Sequence, residues 1–266
     1  EPLRLEALTS SKYITFMERA LPISLSPERN TGAMYHAEFS DRLSMQSGVF
    51  REGNSFGNDK NATNNVNITS RISYLAMNDS DKLLHIGASN SIRKNNSKTY
   101  RVSTRAENHL GNKLIDANFE DIDKSNLLGG ELAYINGSLS LQGEYLQTTL
   151  IGITETKLSS YYAQLSYFLT GESRPYKSSL DGFGRVNPNN NYGNAGKGAI
   201  EVVARTSQIC LEKADMGQLN ARTIGLNWHL NPNTRVMVNY VMGERTDLSG
   251  EVINENAAMI RVQLDF

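Results

Sequence analysis

The chain closes on Ala257-Ala258-Met259-Ile260-Arg261-Val262-Gln263-Leu264-Asp265-Phe266. Successive side chains of a β-strand point to opposite faces. Ala258, Ile260, Val262, Leu264 and Phe266 therefore share one side, and Arg261, Gln263 and Asp265 the other. The same period recurs upstream. Val236, Val238, Tyr240 and Met242 oppose Arg235 and Asn239. Ile224, Leu226, Trp228 and Leu230 oppose Thr223, Asn227 and His229, while Ile200, Val202 and Ala204 oppose Glu201 and Arg205. The pattern continues in Tyr161–Leu169, Leu139–Tyr145, Leu128–Tyr134, Leu84–Ala88 and Ile68–Ala76, and shorter strands near Ala33–Ser40 and Leu43–Phe50 open the series. An all-β fold follows.

A soluble β-sandwich binding protein would show this alternation with its apolar face inward. Three features favour a transmembrane antiparallel β-barrel. The strands run to about ten residues, the length a tilted membrane strand needs. Tyr134, Tyr145, Tyr161, Tyr167, Trp228, Tyr240 and Phe266 mostly fall on the apolar face near strand ends, as interfacial girdles do. The opposite face carries Arg, Glu, Gln, Asn and Ser, which suits a water-filled lumen. Among 266 residues, 28 are acidic, 27 basic and one is cysteine, a balance without the basic excess of a nucleic-acid protein and with no means of building a thiolate cage. The absence of any apolar run of about 18 residues excludes membrane helices only.

The connections orient the wall. Asn136-Gly137 and Asn231-Pro232-Asn233 are tight-turn signals, whereas Asn54–Asn67, Thr148–Lys157, Leu211–Asn220 and Glu244–Asn256 read as longer polar loops. Outer-membrane barrels have short periplasmic turns and longer outer loops. With Phe266 at the periplasmic end, the count stays in phase only if residues 93–126 leave the wall and fold inward, although Thr99–Ala106 itself looks strand-like. Eleven wall strands then remain in a single unit spanning residues 1–266. An odd count leaves an open edge, so the chain is expected to be the C-terminal part of a larger barrel.

Several segments resemble the phosphate-selective porin O and P family of Gram-negative outer membranes. They are Leu8–Pro22 (LTSSKYITFMERALP), Leu169–Tyr176 (LTGESRPY), Gly198–Ser207 (GAIEVVARTS), Thr223–Val241 (TIGLNWHLNPNTRVMVNYV) and Arg261–Phe266 (RVQLDF). The resemblance implies a sixteen-stranded, homotrimeric porin in the outer membrane, with about five N-terminal strands absent here. It also implies constricting loops, one of them within residues 1–32, and no cofactor. The terminal Phe266 is what such barrels present to their insertion machinery.

The implied activity is passive diffusion of small solutes, with phosphate-like anions as the expected cargo. Such a path needs closely spaced donors that replace lost hydration yet release the ion. Arginine suits oxyanions because its planar guanidinium bonds two oxygens and stays charged. Candidates are Arg101 and Arg105 in the inward excursion, with Arg93, Lys94 and Lys98 flanking them, then Lys12 and Arg19 with Arg29 following, and Arg71 and Arg205 on lumen faces. By resemblance, Arg101–Glu107 is the loop that presents alternating arginines, although Ser103 interrupts the ladder. Glu107, Glu131, Glu144 and Glu201 face the lumen on the same parity and oppose anions. Arg71 and Arg205 can equally brace the barrel against such carboxylates. An outer-membrane lipase or protease would need a nucleophile, a base and an orienting group within reach of each other. No such set assembles from the four scattered histidines and the serines, and those histidines make no metal-spaced pair either.

Overall fold

The computed structural model describes residues 1–27, 29–51, 65–79, 81–193, 195–211 and 217–265. Its strands are β1 (Thr31–Glu38), β2 (Leu43–Arg51), β3 (Val66–Asn78), β4 (Lys82–Lys94), β5 (Tyr100–Thr104), β6 (Ile115–Phe119), β7 (Ile122–Asn136) and β8 (Leu139–Gly152). They continue as β9 (Glu155–Phe168), β10 (Tyr176–Ser178), β11 (Gly182–Phe183), β12 (Ala199–Leu211), β13 (Gly217–Asn231), β14 (Thr234–Thr246) and β15 (Val252–Leu264). One eleven-stranded sheet runs in the order β1-β2-β3-β4-β7-β8-β9-β12-β13-β14-β15, and every neighbouring pair is antiparallel. The edges β1 and β15 do not pair with each other among the described residues, so the sheet is open. Among the described residues no second large sheet faces it, as a sandwich would require, and the remaining strands form two small hairpins, β5–β6 and β10–β11.

The two faces are inverted relative to a soluble fold. Ile68, Ile72, Ile86, Leu132, Leu165 and Val262 are exposed on the outward face, while Gln46, Arg71, Glu131, Glu144, Glu201 and Arg205 are buried on the other. The alternation read from the sequence thus sets which way each strand faces, although its solvent preference is opposite to that of a water-soluble sheet. Apolar inward residues do occur, in two clusters. Toward one end, Leu127, Leu146, Leu150, Leu158, Ile209 and Leu219 pack with Leu21, Leu25, Val102 and Ile115. At the other, Leu5, Leu83, Ala133, Ile135 and Phe183 pack together.

Strands are longer than their alternating cores suggest. The polar loop expected over Thr148–Lys157 shrinks to Ile153 and Thr154, because Leu150 and Leu158 are inward and belong to the first cluster. The Glu244–Asn256 loop shortens to residues 247–251, closed by Asp247, which accepts from the backbone of Ser249 and Glu251. Of the expected Asn54–Asn67 loop, residues 54–64 lie outside the described residues, and Val66 and Asn67 belong to β3. Of the expected Leu211–Asn220 loop, residues 212–216 lie outside them, and Leu211 and residues 217–220 belong to β12 and β13.

The turns at the opposite end are tight. Gly137 and Ser138 join β7 to β8, with Gly137 at φ 55°, a left-handed conformation that Cβ-bearing residues adopt at a cost. An added Cβ would meet nothing within 4 Å, so only the backbone term operates. Gly137→Ala is expected to lower unfolding stability by about 1 kcal/mol, and Gly137→Asn by less. Denaturant titration of the folded protein in detergent checks both.

Candidate functional site

Three segments lie against the polar face. Residues 1–27 cross it from β3 and β4 to β15. Near the start, Glu1 accepts from Arg93 of β4 at 2.8 Å and also bonds Thr69 of β3. Further along, the carbonyls of Thr15, Ile14 and Met17 accept from Asn227, Arg235 and Arg261 on β13, β14 and β15. The second segment contains β5 and β6, which pair with each other while β4 pairs directly with β7, so residues 95–121 stand off the wall. It approaches β14 at Gly243, where a Cβ would stand 2.3 Å from that of Ala106. The third, residues 169–198, leaves from the end where the turns are tight and carries β10 and β11.

Buried ion pairs fasten these segments. Glu131 accepts from Arg71 Nε at 2.9 Å and Nη2 at 2.5 Å, from the Leu5 amide at 2.9 Å, and meets His85 Nε2 at 2.7 Å. Arg71 also donates to Gln46 Oε1 and the Ser179 carbonyl, so one knot joins β2, β3, β4, β7 and two inward segments. Beside it, Arg4 donates to Glu144 at 2.7 Å and Glu6 at 3.0 Å. Burial works to lower the Arg4 pKa, but Glu144 and Glu6 outweigh it and hold the guanidinium above its ordinary value. A second knot centres on Glu107, which accepts from Arg205 Nε at 3.0 Å and Nη2 at 2.5 Å, from Thr223 at 2.8 Å and from Ser207. Arg205 in turn donates to the Glu18 carbonyl and lies 4.2 Å over the Phe16 ring.

Other guanidiniums have only uncharged acceptors. Arg19 donates to the carbonyls of Glu6 and Thr9, Arg174 to Gln142 Oε1 while stacked 3.4 Å over Phe183, and Arg235 to Ile14, Lys12 and Gln263 oxygens. Burial lowers Arg19 below its usual value, with Glu6 opposing, and pushes Arg174 down to about 10, with Glu201 opposing. Arg19 and Arg29 line a cavity of about 550 Å³ together with Ser10, Ser11 and Glu1.

The residues singled out from sequence are thereby dispersed. Arg71 and Arg205 are buried and neutralised by Glu131 and Glu107, and Arg93 by Glu1. Lys98 pairs with Asp123 at the surface, and Lys94 is exposed at the end of β4. Arg101 is exposed and bonds Asp116 through two nitrogens, at 2.8 Å each. That hydrogen bond raises Arg101 and holds Asp116 below the usual carboxylate value. Arg105 donates to the Gly111 carbonyl. Lys12 lines a small cleft with Tyr13, Arg185 and Arg235. Of the whole set, Arg19 and Arg29 share one cavity, which is also lined by Glu1, the partner of Arg93. Phe266 lies outside the described residues.

Residues 169–198 were not anticipated as an inward segment, and with them Arg174 and Arg185 were missed. Arg185 donates to the Asn233 side chain at 2.8 Å and pairs with Asp265, tying this segment to the last strand. The available signal was length: some thirty residues on the end where the other connections run to two to four residues.

A family model described as phosphate-selective porin O and P matches residues 2–266. The chain is similar to Porin O of Pseudomonas aeruginosa, 27% identical over 291 residues that cover 95% of this chain and 64% of that protein. It is also 27% identical to an uncharacterized protein of Caulobacter vibrioides over 285 residues, 98% of this chain and 57% of that one. The chain thus spans less than two thirds of the length of either relative.

Proposed function

Because this chain belongs to the phosphate-selective porin O and P family, we propose that its sheet is the wall of a water-filled channel and its three inward segments the constriction through which small, phosphate-like anions diffuse. The family is one of outer-membrane channel proteins of Gram-negative bacteria, not of enzymes. The observation that carries the reading is the inversion of the sheet, apolar residues outward and charged ones inward beneath three chain segments. In this reading further strands join β1 to β15, since an open edge in lipid leaves backbone groups unsatisfied. Assembly as a trimer and recognition of Phe266 by insertion machinery belong to the same proposal.

Anion preference is assigned to the guanidiniums that no carboxylate neutralises. Arg19, beside Arg29, Ser10 and Ser11, offers charge and hydroxyl donors to one cavity, whereas Arg71, Arg93 and Arg205 spend theirs on protein carboxylates. Arg101 and Arg105 are set back from it, Arg101 by its bond to Asp116.

Planar-bilayer recordings test this. The protein is expected to conduct, with a reversal potential showing anion preference. Arg19→Ala is expected to weaken phosphate block of chloride current about tenfold, the worth of one charge-assisted contact. Arg101→Ala combined with Arg105→Ala is expected to change it less. Cation preference in the unmodified channel would overturn the assignment, and a larger effect of the double variant would move the constriction to the β5–β6 hairpin.

A further inference from the structure

The outward face carries a charge well inside its strand that the channel reading does not use. Arg222 is exposed on β13, opposite Thr206 on β12 and Met242 on β14. Among the described residues no side chain or carbonyl hydrogen-bonds or ion-pairs with it. Other outward charges, Lys94, Lys124, Lys157 and Glu244 among them, stand within two residues of a strand end, but Arg222 is five residues in from Gly217. Beside it lies a hollow of about 480 Å³. Leu141, Leu165, Ile224 and Met242 wall this hollow, and the short side chains of Ala163 and Ala204 open it.

The register fixes the depth. The next outward row toward the Gly217 end holds Tyr145, Tyr161, Gln208, Asn220 and Glu244, aromatic on two strands and polar on three. That composition marks the boundary between an apolar band and the headgroup layer. Arg222 is one strand repeat inside the boundary, about 7 Å, so its guanidinium reaches the headgroup level while its stem stays in the apolar band. A guanidinium that meets no carboxylate at this depth matches a phosphate ester, which it can hold through two oxygens. The adjoining hollow is apolar and matches a hydrocarbon chain, a feature that free phosphate would leave unused.

We propose that Arg222 and this hollow bind a phosphate-bearing membrane lipid, with the phosphate on the guanidinium and one acyl chain in the hollow. The proposal rests on the reading of the sheet as a membrane wall. It makes this stretch of wall a lipid-facing one rather than a contact between copies of the chain.

Native mass spectrometry of the protein in neutral detergent, titrated with dimyristoyl phosphatidylglycerol, tests it. The unmodified protein is expected to retain the lipid about tenfold more tightly than Arg222→Gln, with Arg222→Lys between them. Ala163→Leu, which fills the hollow and leaves the charge, is expected to weaken binding as well. Millimolar inorganic phosphate should not displace the lipid. Equal retention by the unmodified protein and Arg222→Gln overturns the proposal, as does displacement by inorganic phosphate. Loss of a protein copy rather than a lipid from Arg222→Gln also overturns it, by making this face an interface between copies. Flotation with liposomes and conductance of the same samples separate the two readings. A protein that inserts and conducts but holds lipid without regard to Arg222 refutes the lipid site alone, whereas one that neither floats nor conducts refutes the wall.

Discussion

Glu131→Ala is expected to cost about 3–5 kcal/mol of unfolding free energy, the loss observed when one partner of a buried ion pair is removed. Glu131 is the only carboxylate within reach of Arg71 among the described residues, and the Arg71 side chain is 0% exposed. Removing it leaves that guanidinium with only the Gln46 and Ser179 oxygens, His85 with only the Tyr176 hydroxyl, and the Leu5 amide without an acceptor. Arg71→Met combined with Glu131→Leu should recover the part of the loss due to the unpaired guanidinium, because neither charge then remains to be compensated, while the Leu5 amide and His85 still lack their acceptor. Denaturant unfolding in detergent reads the difference. Equal stability of Glu131→Ala and the unmodified protein would mean that water enters this end of the inner face and solvates the pair.

The wall was legible in the sequence because alternation with period 2 survives wherever the two sides of a sheet meet different solvents. Ile200–Ala204 and Val236–Met242 face outward as their pattern indicates, and Glu201, Arg205, Arg235 and Asn239 face inward. Strand ends were not legible. Near Leu127-Leu128 and Leu150-Ile151 both faces are apolar, since one meets the membrane side and the other the inward hairpin. There the alternation that marks a strand disappears although the strand continues.

The site was legible in its kind and not in its pairing. Parity placed Arg71, Arg205, Glu131 and Glu107 on one side of the wall, but it could not say which cation meets which anion. Arg71 and Glu131 meet across two wall strands, whereas the other partners come from segments with no period at all. Glu1 reaches Arg93, and Arg4 reaches Glu144, only because residues 1–27 cross the sheet, and Arg174 reaches Gln142 from a segment that departs at the end where the turns are tight. Counting basic residues on a face therefore overstates the charge an ion would meet. What remains after neutralisation is a smaller set that includes Arg19, Arg174, Arg235 and Arg261, three of these four bonded to main-chain carbonyls of the first segment.

Glu107→Gln is expected to change permeation more than any single substitution of an exposed cation. Glu107 sits at φ 52° beyond β5, a backbone conformation held by what its carboxylate binds. The amide keeps the size but carries no charge and has one acceptor oxygen where the carboxylate offers two: the oxygen can keep Arg205 and Thr223, and the NH2 then faces the Ser207 hydroxyl, which must turn from donor to acceptor. Two consequences follow. Arg205, still 3.5 Å from Glu6, loses its principal counter-ion and contributes net positive charge to the inner face. The β5–β6 hairpin loses its polar anchor to β12 and β13 and is retained by the apolar contacts of Val102, Ala106, Leu114 and Ile115 and by Asn112, which donates to Glu255 of β15. Single-channel recordings should show a higher anion preference with noisier open-state current, and unfolding stability should fall by about 3 kcal/mol. Arg205→Gln in the same background should return the ion preference, because it removes the unmasked charge, without quieting the noise, because the anchor is still missing. If the double variant restored neither, Arg205 would not be the source of the added charge.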